Sequence, residues 1–103
     1  MKGPPVLLKP APRSSPYKFV AYFPEGTRTS FGLKGYSDYT IHKDRARMLR
    51  YLTRHGSREN WRRSGAKTAG FWSRWLLWSR PSFRQALSQT QKVLGRRIIF
   101  RAK

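Results

Sequence analysis

The sequence contains no cysteine. Disulfides and thiolate metal sites are thereby excluded, and the chain suits a reducing compartment. Acids are almost as scarce: Glu25, Asp38, Asp44 and Glu59 are the only four. They are scattered over turns and helix starts, where negative charge suits a helix N-terminus. That placement offers no carboxylate pair for acid–base catalysis. The two histidines, His42 and His55, lack a third ligand for a metal. No run of about 18 apolar residues occurs, so nothing reads as a membrane-spanning helix. Val6-Leu7-Leu8 is too short an apolar stretch for a secretory signal. The glycines punctuate turns and match no phosphate-loop pattern. These gaps predict a protein that is not an enzyme, with no cofactor, no metal and no small-molecule substrate.

What the chain has in excess is positive charge. Lys and Arg number 23 against 4 acids, a formal net charge of +19. Most of the cations are Arg, whose fork suits phosphate and carboxylate. Charge this one-sided opposes compaction and calls for a polyanion or an acidic partner. An aromatic share of 15% separates the chain from a disordered basic tail, which has little to bury.

The 103 residues divide into three zones. Residues 1–16 hold Pro4, Pro5, Pro10, Pro12 and Pro16, and read as an extended basic arm, because proline cannot donate to a sheet ladder. Residues 17–95 read as one small α+β domain. It opens with a β-hairpin over 17–34: Tyr17, Phe19, Ala21 and Phe23 alternate with other residues, and Pro24-Glu25-Gly26-Thr27 supplies the turn. About three helices follow. The first, over 41–55, starts at a cap on Asp38 or Thr40, buries Ile41, Met48, Leu49 and Leu52, and stops at Gly56. The second covers 68–78. The third begins at a Ser82/Gln85 capping box and closes at Gly95. Residues 96–103 read as a basic tail, either a short strand or a second arm.

Two features carry functional expectation. Lys43, Arg47, Arg50 and Arg54 recur at spacings 4, 3 and 4 on one helical face, and Arg58, Arg62 and Arg63 extend the patch. A solvated face ordinarily mixes signs to gain i,i+4 pairs; like charges repel until a partner neutralises them. These seven residues are the expected partner- or polyanion-binding set. Trp72, Arg74, Trp75 and Trp78 are the expected interface aromatics, since Trp and Arg concentrate at binding hot spots. Core packing and contact with an anionic membrane surface are the competing uses of that segment.

The order of short motifs is itself distinctive: Phe31-Gly32-Leu33-Lys34-Gly35-Tyr36-Ser37-Asp38-Tyr39-Thr40, then His42-Lys43-Asp44, Tyr51-Leu52-Thr53-Arg54-His55, Glu59-Asn60-Trp61 and Gly70 to Trp78. It resembles an uncharacterised family of small basic proteins encoded by large nucleocytoplasmic DNA viruses of algae and amoebae, over about residues 17–94. The resemblance implies a virion context and transfers no catalytic residue. The leading expectation is therefore a minor capsid protein that binds other capsid proteins beneath the major lattice, with its terminal arms reaching onto neighbours. The alternative is a nucleic-acid-binding or packaging virion protein without sequence specificity, whose affinity falls steeply with salt. An inner membrane surface is a third partner class.

Overall fold

A computed structural model describes residues 3–102. Four strands form one sheet in the order β3-β2-β1-β4, with β1 Val6–Pro10, β2 Tyr17–Tyr22, β3 Arg28–Leu33 and β4 Ile98–Phe100. The expected hairpin is β2 and β3, antiparallel, with Phe19 opposite Phe31 and Ala21 opposite Thr29. Its turn is closed by the Phe23 N–H donating to the Thr27 carbonyl, with Gly26 at φ +104°.

The arm expected at the N-terminus instead contributes a strand to this sheet, and the C-terminal segment takes the short-strand alternative. Strand β1 lies at its centre, antiparallel to β2 and parallel to β4. Val6 and Leu8 are fully buried. The prolines permit this because they fall at the ends: Pro4 and Pro5 precede the strand and Pro10 ends it, leaving four consecutive N–H donors between. The Val6 N–H donates to the Arg97 carbonyl (3.0 Å) and the Arg101 N–H to the Leu8 carbonyl (2.9 Å). The domain thus extends beyond 17–95 at both ends. The loop after β1 is also pinned, by Lys34 Nζ donating to the Pro12 and Arg13 carbonyls.

Alternation sends Val6, Leu8, Ala21, Phe31 and Ile98 to one sheet face, and Phe23 follows in the same phase. All six join a core with Phe71, Trp72, Leu76, Leu77 and Leu94 from the helices. Phe31 and Trp72 stack with centroids 5.6 Å apart. Leu7, Tyr22 and Ile99, of the opposite phase, stay half-buried and outside that core. The molecule is accordingly two-layered, with helices packed on one sheet face.

The helical layer follows its caps. Asp38 accepts from the Thr40 N–H and starts α1, Tyr39–His42; Asp44 accepts from the Ala46 and Arg47 N–H groups and starts α2, Arg45–His55. The single helix expected over 41–55 is therefore broken, at Lys43, which takes a left-handed conformation (φ 58°). After a 3₁₀ turn at Arg63–Gly65, Thr68 caps α3, Ala69–Trp72, which runs into a wide π turn at Ser73–Leu77. Ser82 accepts from the Gln85 N–H to start α4, Phe83–Leu94, and Gly95 (φ +76°) ends it.

Candidate polyanion-binding surface

Helix α2 touches the core through few residues, and its wheel explains which. Tyr51, His55, Met48 and Leu52 fall on one arc; Tyr51 is buried and the other three are half-buried. Tyr51 lies against Trp78 and His55 against Tyr51, each pair with centroids 4.4 Å apart. The expected apolar face was centred elsewhere. Ile41 and Leu49 are 59% and 47% exposed, because the break at Lys43 separates Ile41 from α2 and the large Tyr51 ring fixes the helix rotation.

Arg47, Arg50 and Arg54 occupy the arc next to Tyr51 and are all exposed. Among the described residues the ion pairs are Lys18–Asp38 (2.7 Å) and Lys67–Glu25, so no carboxylate answers this stripe. The other expected members divide. Arg58 and Arg62 are exposed on the turn that follows, with Arg58 Nη2 reaching the Arg54 carbonyl at 3.4 Å. Lys43 and Arg63 are instead structural ties: Lys43 Nζ donates to the Thr40 and Pro81 carbonyls, and Arg63 Nε to the Val93 carbonyl at 3.0 Å. Polar groups at these loop ends need partners, and the two long cations supply them.

The aromatic set is not an open interface. Trp72 is fully buried and its indole N–H donates to the Ala66 carbonyl (2.7 Å). The Trp75 indole donates to the Trp61 carbonyl (2.8 Å), and Trp78 is half-covered by Tyr51. Arg74 lies over the Trp75 ring at 4.3 Å and the Trp61 ring at 5.5 Å, and donates to the Trp78 carbonyl (2.8 Å). Burial lowers its pKa. Only the tertiary fold separates the uses of this set: Trp72 packs on the sheet against Phe31, while Trp78 meets Tyr51 of α2.

A groove of about 520 Å³ opens between α2 and the edge strand β3. Tyr17 and Tyr36 stand on its strand side, Tyr51 and Arg54 on its helix side, and Glu59 also lines it. Sequence reasoning passed over Glu59 as a turn residue; its only local signal is that acids are so few. The other three acids are all occupied. Asp38 holds Lys18, Asp44 caps α2, and Glu25 is lowered to about 2 chiefly by Lys67, with Thr27 adding a hydrogen bond. Glu59 receives only a long hydrogen bond, from the Trp61 indole at 3.4 Å. Its carboxylate rests on Gly70 and leaves no room for a Cβ there. A second cavity of about 510 Å³, near Phe23 and Leu94, has its acid Glu25 already paired with Lys67.

His42, beside the start of α2, accepts from the Asp44 N–H through Nδ1 (2.8 Å), while its Nε2 is buried without a partner. Burial, reinforced by Arg47, lowers its pKa. Among the described residues no group of three His, Cys, Asp or Glu gathers to hold a metal, and no helix is long and apolar enough to cross a membrane.

Residues 6–55, from β1 to the end of α2, match a Family of unknown function (DUF5754). The matched span contains the whole Arg47/Arg50/Arg54 stripe. No curated protein and no solved structure matches the chain.

Proposed function

We propose that the protein is a non-enzymatic nucleic-acid-binding protein whose affinity comes from phosphate contacts along α2. The observation that carries this reading is the Arg47/Arg50/Arg54 stripe, exposed on a capped helix and ion-paired to no carboxylate among the described residues. At 1.5 Å per residue the stripe spans about 10 Å. That length matches about three phosphates along one strand of a duplex. Helix α2 presents no ordered set of Asn, Gln or Glu side chains beside the stripe, so duplex base readout forms no part of the reading.

Binding of the full chain to duplex DNA, followed by fluorescence anisotropy across a salt series, tests it. The expected result is an affinity that falls steeply with salt. No binding at low salt, or binding indifferent to salt, overturns it.

A second reading is a minor capsid or other virion structural protein docked on coat proteins. It is favoured by Tyr36 and Ile41, 70% and 59% exposed, which flank a common concavity of about 430 Å³. Exposed apolar surface of this kind suits a protein partner. The terminal segments no longer support that reading, because both are used in the protein's own sheet. Recovery in washed virions at a fixed ratio to the major coat protein is its expected outcome; absence from them excludes it.

A further inference from the structure

We infer that the groove between α2 and β3 holds one unpaired guanine base of the bound nucleic acid, with Glu59 reading its Watson–Crick edge. This rests on the phosphate-binding reading of α2 and adds a base preference to it. Three observations converge. The first is continuity: Arg54 ends the exposed arginine stripe and also lines the groove, so a chain whose phosphates follow α2 is led to its mouth. The second is the walls. Tyr17 and Tyr36 are exposed aromatic rings on the strand side, and splayed bases stack on such rings. The groove's volume falls within the roughly 300–1,000 Å³ of small-ligand sites.

The third is Glu59. In a chain of net charge +19 a half-buried carboxylate that forms no ion pair within 4 Å among the described residues is unexpected. It keeps acceptor capacity that only the long Trp61 contact touches. Among the bases, guanine alone presents two adjacent donors on its Watson–Crick edge, N1–H and the 2-amino group. A carboxylate accepts both at once. Cytosine and adenine place a ring acceptor beside their amino group, and thymine flanks its N3–H with two carbonyls, so each sets an oxygen or a ring nitrogen against Glu59. The surrounding positive potential disfavours a cationic ligand in the same place.

The test compares four labelled single-stranded oligonucleotides of equal length, each dT except for a short central insert of dG, dA, dC or dT, bound to the full chain across one common salt series. The dG insert is expected to bind roughly tenfold more tightly than the others, the scale of one two-point base contact. Replacing deoxyguanosine with deoxyinosine, which lacks the 2-amino group, is expected to remove most of that gain. Glu59→Gln is expected to abolish the preference, with binding to all four inserts still falling steeply with salt. Guanosine 5′-monophosphate alone is expected to shift the Tyr17 and Tyr36 ring resonances, and cytidine 5′-monophosphate is not.

Equal affinity for all four inserts with a steep salt slope overturns the base pocket and leaves phosphate binding standing. No binding to any oligonucleotide at low salt overturns both. A guanine preference that survives Glu59→Gln also overturns the assignment, whereas a purely structural Glu59 would move the melting temperature and not the base preference.

Discussion

The Tyr51 ring lies flat on the Trp78 indole, centroids 4.4 Å apart and planes 2° from parallel. This stack is the main tether of α2, because Leu49 faces solvent and Tyr51 is the one residue of α2 that is buried. Position of the arginine stripe relative to the sheet therefore depends on one aromatic pair.

Tyr51→Ala should loosen α2 while the sheet survives. Loss of a buried aromatic costs about 3–5 kcal/mol when the surroundings cannot collapse. Hydrogen exchange should show lost protection in residues 45–55, with strands β1 and β2 still protected. Equal loss of protection throughout would mean that α2 is not a separately tethered element.

Burial raises the Tyr51 phenol to about 12, with Glu59 adding to the shift. A raised folded value means that the folded state favours the protonated phenol. Its contribution is complete below the ordinary value of 10 and is lost as pH rises towards 12. Ultraviolet titration should show one tyrosine ionising well above the ordinary value of 10, together with a fall in helix signal.

His42 behaves in the opposite sense. Its folded pKa is lowered from 6.5, first by burial and then by Arg47, against the opposing pull of Asp44 and Asp38. The unfolded chain takes up the proton first, so stability present above 6.5 declines on acidification. The melting temperature should drop between about pH 7 and about pH 5, and the drop should shrink in His42→Gln.

Replacing Arg47, Arg50 and Arg54 together with Ala should weaken duplex DNA binding and flatten its salt dependence. Each phosphate contact contributes about 0.9 to the log–log slope, so the slope should fall by about 2 to 3. All three side chains are exposed, so the melting temperature should change little. A slope unchanged by the triple substitution would place the phosphate contacts elsewhere.

Gly32→Ala should destabilise the fold. Gly32 sits at φ +73°, and an added Cβ would stand 2.9 Å from Leu77 Cδ1. Left-handed strain alone costs roughly 1–3 kcal/mol, and the close contact adds to it. Chemical denaturation should show a lower midpoint with an unchanged slope.

The elements that local chemistry defines were legible in the sequence. Alternation and a Pro-Glu-Gly-Thr turn marked the β2–β3 hairpin, and side-chain caps marked the helix starts at Asp38 and Ser82. Strand β1 was not, because proline density around it masked four donor-bearing residues, and its parallel partner β4 lies at the far end of the chain. The rotation of α2 was missed because one ring, Tyr51, outweighs the aliphatic arc. Of the surface set, the arginine stripe was readable from spacing, whereas the structural use of Lys43 and Arg63 depends on carbonyls 38 and 30 positions away. The groove has no local signature, since its walls come from β2, from β3 and the segment after it, from α2 and from residues 69–78.

The parallel pairing of β1 with β4 also governs how the chain is born. Val6 emerges from the ribosome early, yet its neighbour Ile98 must be synthesised and clear the exit tunnel before that side of the strand is closed. Through that interval the nascent polypeptide carries an open hydrogen-bonding edge and a heavy cationic load past the ribosome's own RNA.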